Sequence, residues 1–130
     1  GRIVEVRAEE GEDVIRAQMA VESWWRMSAN GDNGDSFGLF QIRRPFHCCD
    51  FLAANDTAFN ADYYGAILRA FYDGRQGWSI PPKGIPYRAH DLWGSVGAWF
   101  SGRWHDPGAE RYIVKVKQEL YARDWRQPGF

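Results

Sequence analysis

Hydrophobic residues recur at helical spacing in four segments of the chain, and glycine- or proline-rich stretches separate these segments. Spacings of three and four residues place side chains on one face of a helix. The pattern predicts helices over residues 13–27, 61–73, 89–101 and 107–124. An acidic cluster from Glu9 to Asp13 favours the start of the first helix, and Asp106 followed by Pro107 is typical of a helix N-terminus.

The connections between the predicted helices differ in character. The segment Ser28–Ser36 contains two Asn-Gly pairs, which adopt positive-φ turn conformations at low cost, so we expect a tight loop or a small hairpin. An apolar run, Phe37–Ile42, follows it. Three prolines lie within residues 75–88 and predict an irregular loop, long enough to suggest a role at a site. A short alternating stretch, Ile3–Val6, opens the chain.

Composition narrows the class of protein. A chain of 130 residues, 45% hydrophobic, can bury one core, so residues 1–130 are expected to form a single mainly α (α+β) domain. The net charge of −1 offers no basic footprint for nucleic acid, and no apolar run is long enough for a transmembrane segment. The adjacent Cys48 and Cys49 cannot link distant segments. His47, His90 and His105 lack metal-ligand spacing, so no metal and no cofactor are expected.

Glu22 is the most informative single residue. It follows Met19 by three residues and Ile15 by seven, so it shares the apolar face of the first predicted helix. Burial disfavours the charged form of a carboxyl group and raises its pKa, as a general acid near neutral pH requires. A structural alternative is that Glu22 reaches solvent at the helix edge or pairs with Arg26.

Four sequence motifs, which follow one another along the chain, bear on the role of Glu22. Val21–Trp25 reads VESWW, Ser28–Ile42 ends in GLFQI, Asn60–Gly74 is a helical segment with an internal glycine, and Gly94–Gly102 reads GSVGAWFSG. Together they resemble the lysozyme and lytic-transglycosylase superfamily, and are most similar to the SLT-type transglycosylase domain. The resemblance spans about Val14 to Leu120 and leaves out residues 75–88.

The resemblance implies a lysozyme-like helical domain with a small β-hairpin or irregular region beside an active-site cleft. It implies that Glu22 is the catalytic acid/base that cleaves the β-1,4 bond between N-acetylmuramic acid and N-acetylglucosamine as a lytic transglycosylase. Departures from the family pattern include Trp99 and Phe100, which stand where transglycosylases have tyrosine and asparagine.

Three alternatives stay open at this stage. A hydrolytic muramidase would use a second carboxylate, Asp35 or Asp32, although both can also be turn-capping residues. A non-catalytic module would bind glycan without cutting it. An enzyme of the same kind could instead act on another β-1,4-linked amino sugar such as chitin.

The resemblance also implies a binding partner and a cellular location. The partner implied is the peptidoglycan glycan strand, bound by a monomer or by one domain of a larger protein, in the cell envelope or outside the cell (periplasm, cell wall or phage particle). A leader or flanking domains are expected beyond this chain. Sugar-binding contacts are expected from seven residues in the matching motifs: Ser23, Ser36, Gly38, Phe40, Gln41, Trp99 and Tyr112.

Overall fold

The computed structural model describes residues 8–130, with side chains from residue 11 onward, so the predicted alternating stretch Ile3–Val6 lies outside the described residues. In this part of the chain there are five α-helices: α1 (Ala8–Ser23), α2 (Asp50–Asn55), α3 (Thr57–Tyr72), α4 (Leu92–Ser101) and α5 (Pro107–Ala122). A three-stranded antiparallel sheet lies between α1 and α2, in the order β1 (Asn30–Gly31), β2 (Ser36–Phe37), β3 (Ile42–Arg43). The mainly α class with a small β-hairpin region is confirmed.

Helix boundaries show where the periodic pattern was insufficient. Helix α1 was predicted to reach Met27, but it ends at Ser23 because Trp24 and Trp25 both adopt positive φ, at 54° and 57°. The indole Nε1 of Trp25 donates to the Arg16 carbonyl at 3.0 Å and holds the chain folded back along α1. Helix α2 was not predicted, since its six residues are too few to show a helical period.

Side-chain caps set the starts of the later helices. Asp56 accepts a hydrogen bond from the Phe59 amide at the start of α3, which therefore begins four residues before the predicted Ala61. Asp91 caps α4 through the Gly94 amide, and Asp106 caps α5 through the Ala109 amide with Pro107 in the first turn. The predicted cap of α5 is therefore confirmed.

The core lies where α1, α3, α4 and α5 meet, and Val14, Tyr64, Val96 and Val116 are among its buried members. Helices α4 and α5 approach closely at Gly97, where an added Cβ would lie 2.9 Å from the Ala109 Cβ. A larger residue there would push the two helices apart, so the glycine allows α4 and α5 to pack closely.

Asn60 of α3 attaches the sheet to the helices. Its Nδ2 donates to the carbonyls of Phe37, at 2.7 Å, and Ala53, at 3.0 Å, and its Oδ1 accepts from the Phe40 amide at 3.1 Å. These bonds hold the chain after β2 against α3. Among the described residues, no helix has the length and apolar character needed to cross a membrane.

Candidate active site

The last turn of α1 presents Glu22 to a groove between the sheet and α4. Its side chain is half-buried, and the hydroxyl of Tyr112, on α5, donates to its Oε1 at 2.6 Å. Glu22 forms no ion pair with any described arginine, so the alternative pairing with Arg26 does not occur. The carboxyl group is therefore held by an uncharged donor.

The surroundings of Glu22 change its acidity. Burial is the largest effect and raises the pKa of Glu22 from 4.5 to about 7. The hydrogen bond from Tyr112 opposes this rise, the negative charge of Asp32 adds to it, and the nearby indole of Trp99 opposes it again. The carboxyl group is therefore substantially protonated near neutral pH, as a general acid must be.

A buried polar cluster supports Glu22 from behind. Tyr64 and Tyr112 are both buried, and the Tyr64 hydroxyl donates to Oε1 of Gln18. Burial raises the pKa of both tyrosines well above 10, and the charge of Glu22 contributes to each rise. Both phenols therefore keep their protons, and Tyr112 acts as a donor throughout the neutral range. The Nε2 of Gln18 is buried without a partner among the described residues.

The groove consists of three adjoining cavities, and Glu22 lies in the middle one. The central cavity, about 310 Å³, is lined by Glu22, Asp32, Arg43 and Trp99 among others. A second cavity, about 550 Å³, is lined by Arg26 among others and is called the Arg26 arm. It shares Glu22, Gly31 and Gln41 with the central cavity. A third cavity, about 430 Å³, adjoins the central cavity on the other side and is called the aromatic arm after its lining. It shares Phe46, His47, Trp99 and Phe100 with the central cavity. An extended polymer can therefore pass Glu22 with contacts on both sides.

Two aspartates of the hairpin lie in different environments. Asp32 lines the central cavity, accepts a hydrogen bond from Ser36 Oγ at 2.5 Å, and lies 3.9 Å from Arg43 Nε. Asp35 instead pairs with Arg44 at 2.6 Å and is not among the residues that line the groove. Of these two aspartates, the structure therefore places Asp32, and not the expected Asp35, in the cavity with Glu22, because the turn directs the two side chains to different sides.

Three of the seven predicted sugar-binding residues line the groove. Ser23 and Gln41 line the Arg26 arm, and Trp99 lines the other two cavities. Gln41 also holds the hairpin, since its Oε1 accepts from the Gly31 amide and its Nε2 donates to the Ala29 and Gly38 carbonyls. Ser23 Oγ donates back to the Met19 carbonyl within α1.

The other four lie behind the groove. Phe40 is buried and stacks on Tyr64 with 3.9 Å between ring centroids, so it belongs to the core. Gly38 has a φ of 73°, and an added Cβ would lie 2.3 Å from Nδ2 of Asn60. Ser36 is buried and holds Asp32, and Tyr112 is buried beneath Glu22. These four act on the site through packing and positioning.

Several residues that line the groove were not predicted from the sequence. His47 stacks on Trp99 with ring centroids 5.1 Å apart and bonds to Tyr63 Oη at 2.9 Å. Trp78 lies in the proline-containing loop that was suspected of a role, but nothing in the loop pattern singled it out. Phe100 was noted only as a departure from the family pattern. Their positions along the groove depend on long-range packing, which local spacing does not reveal.

Among the described residues, no group of three or more His, Cys, Asp or Glu side chains is arranged to hold a metal ion. Cys48 and Cys49 form a disulfide with each other beside the groove residue His47. The chain matches no protein-family model, no curated protein and no solved structure.

Proposed function

We propose that this protein cleaves a β-1,4-linked amino-sugar glycan, with the peptidoglycan strand as substrate and Glu22 as general acid and base. One observation carries the proposal: a carboxyl group with a pKa of about 7, held by Tyr112 at the middle of an extended groove. A carboxyl group with a raised pKa in such a groove is suited to protonating a glycosidic oxygen.

The first step is protonation of the leaving group. Glu22 donates its proton to the oxygen that leaves as the C1–O bond breaks, and positive charge develops on the sugar. Glu22 becomes a carboxylate, which accepts the Tyr112 hydrogen bond more strongly because its oxygen now carries charge. Tyr112 thus stabilises the form of Glu22 that the reaction produces.

The second step distinguishes the possible products. In a lytic transglycosylase, the Glu22 carboxylate takes the proton of the muramyl 6-hydroxyl, whose oxygen bonds to C1 and closes an internal anhydro ring. Glu22 regains its proton, and no water is consumed. This route needs one carboxyl group, and burial raises the pKa of Glu22 enough to keep it substantially protonated near neutral pH.

Hydrolysis is a second candidate, and the position of Asp32 supports it. Asp32 lines the same cavity, and its negative charge contributes to the raised pKa of Glu22. As a base or nucleophile it would complete the carboxylate pair of a glycosidase. Ser36, which donates to it at 2.5 Å, and Arg43, whose Nε lies 3.9 Å away, hold this carboxylate in place beside the cavity.

Digestion of purified peptidoglycan followed by mass spectrometry tests both routes. Glu22→Gln is expected to lower the cleavage rate by about a thousandfold, since the general acid is lost. Asp32→Asn is the diagnostic variant, and Asp35→Asn is its matched control from the same turn, because Asp35 pairs with Arg44 outside the groove.

Each outcome has a distinct meaning. Anhydro-muramyl ends with an active Asp32→Asn variant support the transglycosylase. Reducing ends that disappear in Asp32→Asn, but not in Asp35→Asn, support hydrolysis. Equal cleavage by wild type and Glu22→Gln, or no cleavage by a folded wild type, contradicts the proposed function and favours a module that only binds glycan.

A further inference from the structure

The aromatic arm of the groove is unusual in how much hydrophobic ring surface it exposes. Trp78 is 81% exposed, Phe46 72% and Phe100 60%, and all three line the same cavity. Exposed apolar side chains that are grouped around one concave surface commonly mark a ligand-binding groove, whereas single exposed ones do not.

The exposed ring of Trp78 is carried by an anchored loop. Gly77 packs against Tyr87, where an added Cβ would lie 2.7 Å from Cδ1 of that ring, and the Tyr87 hydroxyl donates to the Phe71 carbonyl. Ile80, two residues after Trp78, is buried. Because the loop is held on both sides of Trp78, a ligand can bind the indole without ordering a flexible segment.

The charge of the arm restricts its occupant. None of the described residues that line it is Asp, Glu, Lys or Arg, and burial lowers the pKa of His47, which leaves that imidazole uncharged at neutral pH. By contrast, the central cavity is lined by Asp32 and Arg43, and the Arg26 arm is lined by the charged side chain of Arg26. A charged ligand in the aromatic arm would lose hydration with no compensating ion pair.

We infer that the aromatic arm binds uncharged N-acetylhexosamine rings, stacked on Trp78 and Phe100, and so selects glycan that is free of acidic peptide on this side of Glu22. Sugar rings present flat C–H faces that pack on aromatic rings, while Gln76 and Ser79 at the same cavity supply polar groups for hydroxyls. The inference rests on the proposed function, because the arm continues the cavity that contains Glu22.

The test measures binding without cleavage. The parent protein is Glu22→Gln, and the probe is the hexamer of N-acetylglucosamine, titrated by calorimetry. Trp78→Ala in this background is expected to weaken binding about tenfold, as loss of a central aromatic contact does, and Trp78→Phe is expected to restore most of it. Tyr121→Ala is the matched control, since Tyr121 is 93% exposed on α5 and lines none of the three cavities.

A second probe tests the charge argument. The fully deacetylated hexamer, whose amines are protonated at mildly acidic pH, is expected to bind at least about tenfold more weakly than the acetylated one. Equal binding of the two hexamers, or an acetylated hexamer that binds Trp78→Ala as tightly as the parent, would overturn the inference. So would self-association by sedimentation that Trp78→Ala abolishes, because a second copy would then occupy the arm.

The inference and the proposed function fail separately. Normal peptidoglycan cleavage together with Trp78-independent binding refutes the role of the aromatic arm and leaves the catalytic proposal intact. Trp78-dependent binding of the hexamer by a wild-type protein that cuts no glycan leaves the arm intact and refutes the catalytic proposal.

Discussion

At the scale of single residues, the chemistry of the candidate site depends on opposing effects at Glu22. Burial favours the protonated carboxyl group, whereas the Tyr112 hydroxyl, 2.6 Å away, favours the carboxylate. Since burial is the larger effect, the pKa of Glu22 rises to about 7, within the range useful for both giving and receiving a proton. Tyr112 keeps the rise from going further.

Tyr112→Phe is therefore expected to raise the pKa of Glu22 further and to slow cleavage. The activity of the protonated acid should fall as the pH rises through the pKa of Glu22, near pH 7 in the wild type, and this midpoint should move upward in Tyr112→Phe. Loss of a hydrogen bond to the developing carboxylate should also lower kcat by about tenfold or more.

The measurement is the pH profile of kcat/KM, which reports the free enzyme. Tyr121→Phe, an exposed tyrosine on the same helix, should leave the midpoint in place. A midpoint that stays or moves downward in Tyr112→Phe would mean that Tyr112 does not stabilise the carboxylate form of Glu22.

At the scale of elements, the groove exists because two short connections are held rigidly against longer helices. Helix α1 ends one residue after Glu22, and the positive-φ backbone conformation of Trp24 and Trp25 turns the chain away from the helix axis. The acid therefore lies at an edge of the core. On the opposite side, Asn60 of α3 holds the segment after β2 through three hydrogen bonds. The sheet, with Asp32 and Gln41 at its turns, is placed by these contacts.

Asn60→Ala is expected to lower the free energy of unfolding by about 3 kcal/mol, because it leaves buried backbone groups without partners. Urea denaturation measures the change. Asn55→Ala is a matched control: its amide also donates to a backbone carbonyl, that of Phe51 at 2.8 Å, but at an exposed position, so a change within about 0.5 kcal/mol is expected. Equal effects of the two variants would show that Asn60 is not the attachment of the sheet.

At the scale of the whole molecule, two groups with raised pKa values make stability depend on pH in the same direction. Glu22 binds its proton more tightly in the folded state, so its favourable contribution is complete below pH 4.5 and is lost as the pH rises to about 7. For His105, burial lowers the pKa, but hydrogen bonds with Asp91, at 2.6 Å, and Glu110, at 2.5 Å, outweigh burial and raise it overall. Protonated His105 therefore also stabilises the fold below its folded-state pKa.

We expect the free energy of unfolding to fall between pH 4.5 and about pH 8, and Glu22→Gln to remove much of this fall. The variant should be more stable than wild type by up to about 3 kcal/mol at about pH 8 and close to it at pH 4.5. Denaturation at the two pH values measures the difference. Glu12→Gln, which changes an exposed glutamate on the same helix, is the control. An equal gain in the free energy of unfolding in this variant would show that the effect is not specific to the burial of Glu22.

Local sequence was sufficient for the features that depend on near neighbours in the chain. The helical periods, the cap at Asp106, the Asn-Gly hairpin and the apolar face that carries Glu22 all arise from contacts within a few residues. Where this local signal was weak, at the end of α1 and in the six-residue α2, the predictions were wrong or absent.

Tertiary structure decided which side chains share the groove. Asp32 and Asp35 lie three residues apart in one turn, yet only Asp32 lines the cavity with Glu22. Phe40 and Gly38 belong to a motif expected to bind sugar, but they pack against Tyr64 and Asn60, whereas Trp78 from an unmatched loop reaches the groove. The raised pKa of Glu22 likewise depends on burial and on the charge of Asp32, which lies in the hairpin. Helical period is a local property of the backbone, whereas burial and the direction of a side chain depend on segments far apart in sequence.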